Sequence, residues 1–251
     1  TNERDYPWMD EGMNSFYENR YMNTFYEDDD ADIISKGTDK FLGDGHSVKY
    51  DELAYLYLAR RNLDQAPHTT SADLNQVNYG VGAYMKPALI FKMLEGYVGK
   101  STFDEAMQSY FQQWQFKHPQ PKDFRSIMES VTEKKLDWLF DGLLYSNKKM
   151  DYALVDVNAN NGAQIKVKNK GEIITPFPVS GIKNGEVVAT KWYEGFEGEK
   201  DLDFPEGEYD LLRIDAERVT LDVNRKNNNR RLKGPLPGIE PLNLKFLLPL
   251  N

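Results

Sequence analysis

The hydrophobic period changes once along this chain, near Asp151, and that change limits the fold more than any other feature. Before it, apolar residues return at three- and four-residue intervals, as a helix face requires. After it they come in short alternating or β-branched runs separated by turn residues, as strands require. The expected architecture is therefore an α-helical domain over residues 1–150, followed by a small β-sandwich domain over 151–229. Residues 230–251, with Pro235, Pro237, Pro241 and Pro249, read as a Pro-rich linker or the start of a further segment.

In the helical part, Met9, Met13, Phe16, Tyr17 and Tyr21 mark a first helix behind Asp5 and Pro7. A second is expected from Asp51 to Arg61, burying Leu53, Leu56 and Tyr57. A third should run from Ala83 to Val98, presenting Leu89, Ile90, Met93, Leu94 and Tyr97, with Gly99 as its C-cap. Thr102 and Glu105 have capping-box spacing for a fourth, burying Phe103, Met107, Tyr110, Phe111 and Trp114. Two more helices are expected around Phe124–Val131 and Leu136–Leu143. Between the first two, Glu27–Asp32 reads as a solvated acidic loop, with calcium binding as the alternative.

In the second part, strands are expected at Leu154–Val157, Ile165–Val167, Val187–Val188, Glu208–Ile214 and Val219–Val223. Asn184-Gly185 should close a hairpin, because a type I′ turn needs positive φ at both central residues. Five or more short strands in this length suggest a sandwich.

Composition excludes several chemistries. There is no cysteine among the 251 residues, so disulfides, thiolate metal sites and a cysteine nucleophile are ruled out. The net charge of -9 argues against nucleic acid or an anionic membrane surface as partner. No stretch has the roughly 20 apolar residues of a membrane span. The three histidines, His46, His68 and His118, are scattered, with no two at metal-binding spacing.

Chemistry concentrates in two stretches. The first is Trp8-Met9-Asp10-Glu11-Gly12-Met13-Asn14-Ser15-Phe16-Tyr17-Glu18. Read alone, Asp10 and Glu11 are acids in a first helical turn, where the dipole favours them. The second is Val81-Gly82-Ala83-Tyr84-Met85-Lys86-Pro87-Ala88-Leu89, where Tyr84 read alone is a packed aromatic on a helix. Together, and in this order, the two stretches resemble the segments W-[LMF]-x-E-G and Y-[ED]-K-G-A of the zinc aminopeptidases of the aminopeptidase N family, the M1-like gluzincins. Met85 stands where that pattern has an acid, and Pro87 where it has Gly.

The resemblance implies the C-terminal part of a thermolysin-like catalytic domain and a set of roles. Glu11 would be the third zinc ligand, a hard oxygen donor completing a His₂Glu site. Tyr84 would donate to the oxyanion of the tetrahedral intermediate, and Glu18 would be an outer acid steadying a ligand. Zinc is the implied cofactor of the full-length enzyme and peptides are the implied substrates, cleaved at their N-termini. The two zinc-binding histidines of HEXXH are absent, so the chain is expected to be a fragment whose zinc helix precedes Thr1, inactive by itself and without bound zinc. Weaker similarities extend the resemblance over residues 5–228, including Asp222-Val223-Asn224-Arg225, a run similar to one in bacterial relatives. By that analogy a periplasmic or cell-envelope location is expected. Two other readings stay open: a non-catalytic peptide-binding or scaffold protein, and a β-domain acting in adhesion or carbohydrate binding through Trp192, Tyr193 and Phe196.

Overall fold

The computed structural model describes residues 2–25, 50–158 and 164–232. The acidic run 27–32, His46 and the Pro-rich residues from 233 onward lie outside the described residues. The chain divides into two compact units that change over between Lys149 and Met150, with residues 219–221 joining the first. None of the described helices is long and apolar enough to cross a membrane.

The first unit is helical. A π-helical turn, Trp8–Gly12, leads into α1, Met13–Phe25. Helix α2 is Tyr50–Ala59. A short turn, Gln76–Asn78, is capped by the Asn75 side chain, which accepts from the backbone of Val77 and Asn78. It opens a second π segment, Tyr79–Met85, which runs into α3, Lys86–Val98. Helix α4 is Lys100–Trp114 and α5 is Pro121–Thr132. A third π segment, Trp138–Leu144, follows. Helix α5 starts where its sequence says it should: Pro121 fits the first turn, and Gln120 and Asp123 form a reciprocal capping box. An aromatic cluster fills the core, with Trp8 6.3 Å from Phe91, 6.2 Å from Phe124 and 6.5 Å from Phe140 between ring centres.

Several expectations for this unit need correction. Tyr17 and Tyr21 are exposed, as is Tyr57 of α2. Each sits about 100° around the helix from a buried residue or further, and the buried stripe is narrower than the apolar one. The Tyr57 ring is covered instead by the Arg61 guanidinium at 4.1 Å. Phe111 is likewise exposed, beyond the Phe103, Ala106 and Met107 stripe that α4 buries. The proposed Thr102–Glu105 capping box does not form. Gly99, at φ 86°, ends α3 and begins α4, so the helix starts at Lys100 without a side-chain cap. A positive φ of this kind favours glycine.

The second unit contains two antiparallel sheets. Strands β1 (Tyr152–Asn158), β2 (Gln164–Asn169) and β5 (Glu199–Asp203) form one, in the order β1-β2-β5. The other has the order β4-β3-β6-β7, from β3 (Phe177–Lys183), β4 (Glu186–Tyr193), β6 (Leu211–Ile214) and β7 (Asn229–Arg231). Tyr152 of β1 stacks on Phe177 of β3 at 4.2 Å, so aromatic rings join the sheets. The β3–β4 turn holds Asn184 at φ 53° and Gly185 at φ 87°, the positive pair that a type I′ turn needs.

Val219–Val223 is not a strand. Only Asp222 bridges, to Met150, because its carboxylate accepts from the N–H groups of Tyr152 at 3.0 Å and Asn224 at 2.8 Å in place of a ladder. The aromatic patch also dissolves: Tyr193 is buried and stacks on Phe177, and Phe196 packs against Tyr152.

Candidate active site

The first two π segments, Trp8–Gly12 and Tyr79–Met85, pack against each other, and they carry Glu11 and Tyr84. A π turn hydrogen-bonds five residues apart and is found mostly as a single turn, often at functional sites. The closeness of the two segments depends on Gly12. A Cβ added there would lie 2.4 Å from Pro87 Cβ and 3.2 Å from the Ala83 carbonyl oxygen. Any side chain at position 12 would therefore push the Glu11 turn away from the turn that ends in Tyr84.

The contact brings together the segments that carry the two predicted residues. The neighbouring Glu11 carboxylate, with burial adding to it, holds the Tyr84 phenol well above its ordinary pKa. Tyr84 is thus a neutral donor throughout the ordinary pH range. Tyr79 stands five residues earlier on the same π segment and meets Tyr84 edge-on, with ring centres 5.9 Å apart. Its own hydroxyl faces Glu3 Oε1 at 3.5 Å. Sequence reasoning missed Tyr79, because on an ordinary helix five residues do not share a face; in a π segment they do.

Beside Tyr84 opens a cleft of about 340 Å³, lined by Ser15, Glu18, Asn19, Asp51, Gly80, Tyr84 and Met85. Ser15 donates to the Glu11 carbonyl at 2.8 Å and Asn19 donates to Asp51 at 2.9 Å. Glu18 is exposed on the cleft wall, two helical turns beyond Glu11. Met85, the departure from the expected acid, lines the same wall.

The sequence model of the peptidase family M1 domain matches residues 4–143. The chain belongs to peptidase family M1. No curated protein matches it significantly. Among solved structures, aminopeptidase A of Legionella pneumophila, in complex with aspartic acid, is similar, with a TM-score of 0.54 at 18% identity. The match covers 87% of this M1 chain and 24% of the Legionella chain. At that identity the likeness shows the fold, a helical segment followed by small antiparallel sheets.

Zinc, implied by the family, can be tested against the residues present. Glu11 suits one place in a zinc ligand set: it is a half-buried carboxylate held on a short rigid turn. No group of three or more His, Cys, Asp or Glu that could hold a metal ion occurs among the described residues. The described part of this M1 chain therefore fits as the donor of one ligand. Of the histidines, His68 accepts from the Trp8 indole N–H at 3.3 Å and stacks on Tyr6, and His118 is exposed.

Proposed function

We propose that this chain is part of a zinc-dependent aminopeptidase, contributing one metal ligand and one transition-state donor to an active site shared with residues beyond it. The observation that carries the reading is the packing of the Glu11 and Tyr84 π segments on each other in an M1 chain, with Gly12 closed against Pro87. Bound zinc supplies a polarised water and a Lewis acid for the scissile carbonyl.

The remaining chemistry belongs to the chain's own side chains. Glu11 brings an oxygen donor on a turn whose position Gly12 keeps. Tyr84 brings a neutral hydroxyl to the place where carbonyl oxygen gains negative charge, and such a donor is worth most in the transition state. The cleft beside Tyr84 receives part of the peptide. Met85 and Pro87, which depart from the family pattern, are both accommodated: one lines the cleft and the other closes against Gly12. On this reading the 251-residue chain alone does not hydrolyse peptides.

The test is steady-state hydrolysis of aminoacyl p-nitroanilides by the full-length protein loaded with zinc. Glu11→Ala is expected to remove zinc-dependent turnover, and Tyr84→Phe to lower kcat by about 100-fold, as for loss of one oxyanion donor. Undiminished turnover in Glu11→Ala would overturn the assignment.

A further inference from the structure

Three consecutive residues, Leu63, Asp64 and Gln65, grip the π segment Tyr79–Met85 at both of its ends. At the leading end, the Leu63 carbonyl accepts from the Asn78 side-chain amide at 2.8 Å. The Gln65 N–H donates to Asn78 Oδ1 at 2.9 Å. The Gln65 side chain extends the hold: it accepts from the Asn75 N–H at 2.9 Å and donates to the Asp73 carbonyl at 2.9 Å. At the trailing end, Lys86 Nζ stands 3.6 Å from Asp64 Oδ2. Lys149 Nζ forms an ion pair with the other oxygen of Asp64 at 2.8 Å.

The grip is dry. Asn78 is 1% exposed, Lys86 0% and Asp64 4%. The Lys86 ammonium has the Ser146 carbonyl at 3.4 Å and the Tyr55 ring at 5.7 Å as its other neighbours. Burial, with Lys149 adding to it, pushes Lys86 down to about 8 although Asp64 pulls the other way. Two ammonium groups sharing one buried carboxylate are a poor device for stability, since desolvation offsets most of the attraction. They are a good device for geometry, because each partner admits few positions for the other. A π segment needs such support: uncommon backbone persists where its surroundings over-determine it.

We propose that the Leu63–Asp64–Gln65 segment is a positioning clamp for Tyr84, in which Asn78 and Lys86 are the two handles by which it sets the phenol beside Glu11. Residues 63–65 are not among those lining the cleft, so the clamp's effect passes through the backbone of the π segment. The inference rests on the reading of Tyr84 as the transition-state donor.

A double-mutant cycle in the full-length, zinc-loaded protein tests it, with aminoacyl p-nitroanilides as substrates. Lys86→Met keeps the volume and leaves Asp64 paired with Lys149. It is expected to lower kcat about tenfold with KM within about twofold, because the misplaced group acts only in the transition state. In a Tyr84→Phe background the same substitution should change kcat by less than about twofold. A second readout needs no turnover: amide exchange over residues 79–85 should quicken in Lys86→Met while α4 is unchanged. Equal losses of kcat in both backgrounds, or faster exchange without a fall in kcat, would overturn the clamp. If Tyr84→Phe alone leaves kcat intact, the donor assignment itself falls and the clamp with it; if Tyr84→Phe lowers kcat and Lys86→Met does not, the clamp alone falls. Asn78→Ser repeats the cycle from the other handle should Lys86→Met fold poorly.

Discussion

Gly12 and Pro87 are in contact in a way that leaves no room for a single further carbon: a Cβ on Gly12 would come within 2.4 Å of Pro87 Cβ. Pro87 stands where the resemblance predicts glycine, so this pair closes with a ring on one side and nothing on the other. Gly12→Ala is expected to destabilise the helical unit by about 1–3 kcal/mol, the usual range for overpacking. Pro87→Gly should be nearly neutral in the Gly12→Ala background, because it returns the space. Urea unfolding of the two single variants and the double variant measures the coupling; strict additivity would show that the two residues do not press on each other.

Glu11 and Tyr84 make a prediction that needs no catalysis. The Glu11 carboxylate is the first cause of the raised Tyr84 pKa. Glu11→Gln removes the negative charge that opposes phenolate formation, so the Tyr84 pKa should fall. Ultraviolet difference titration of each protein against its Tyr84→Phe counterpart isolates the one phenol. An unchanged Tyr84 titration would mean that the two side chains do not interact in solution.

Asp222 of the second unit is fully buried, and burial raises its carboxyl to about 7, opposed by the backbone N–H groups of Tyr152 and Asn224 and by Arg225. A carboxyl whose folded pKa is raised contributes stability below its unfolded pKa and loses it as pH rises through the folded one. From the ordinary carboxyl value of 3.8 to about 7, that loss is on the order of 4 kcal/mol. Asp222→Asn never ionises, so its stability relative to the parent should improve steadily from pH 4 to pH 7. Denaturant midpoints at pH 5 and pH 8 read this directly, and a gap that does not vary with pH would contradict it.

His68 is held below its ordinary pKa by burial, and as a neutral ring it accepts from Trp8 at 3.3 Å. Protonation removes that acceptor. Stability from this contact is present above the unfolded pKa and lost as pH falls through the lowered folded value. Acidification through this lowered value should therefore change Trp8 fluorescence in the parent protein. In His68→Asn the same acid step should be absent; its persistence would place the titrating group elsewhere.

Part of the site was legible in the sequence because its signals are local. Glu11 followed by Gly12, and Tyr84 at the head of an apolar helix, are read from adjacent residues, and the structure packs the two short segments that carry them together. The hairpin at Asn184-Gly185 was equally legible, since its positive φ angles depend on those two residues alone. Tyr79 was hidden because its partnership with Tyr84 follows a five-residue repeat that only a π segment provides. The clamp was hidden because Asp64, Lys86 and Lys149 are far apart in the chain and each reads as an ordinary charged surface residue.

The sequence by itself determined the helices and several of the strands, because hydrophobic period is a property of neighbours along the chain; it placed a strand at Val219–Val223 that does not form and did not show β5 or β7. It also determined the change from one to the other near residue 150. Only the tertiary structure decided that Tyr17, Tyr21, Tyr57 and Phe111 face outward, since the width of a buried stripe depends on what packs against it. It alone paired β2 with β5 and β3 with β6, contacts whose partners no local pattern names. And it alone placed Lys86 in a dry interior, because burial of a charge is decided by a carboxylate that reaches it from another part of the fold.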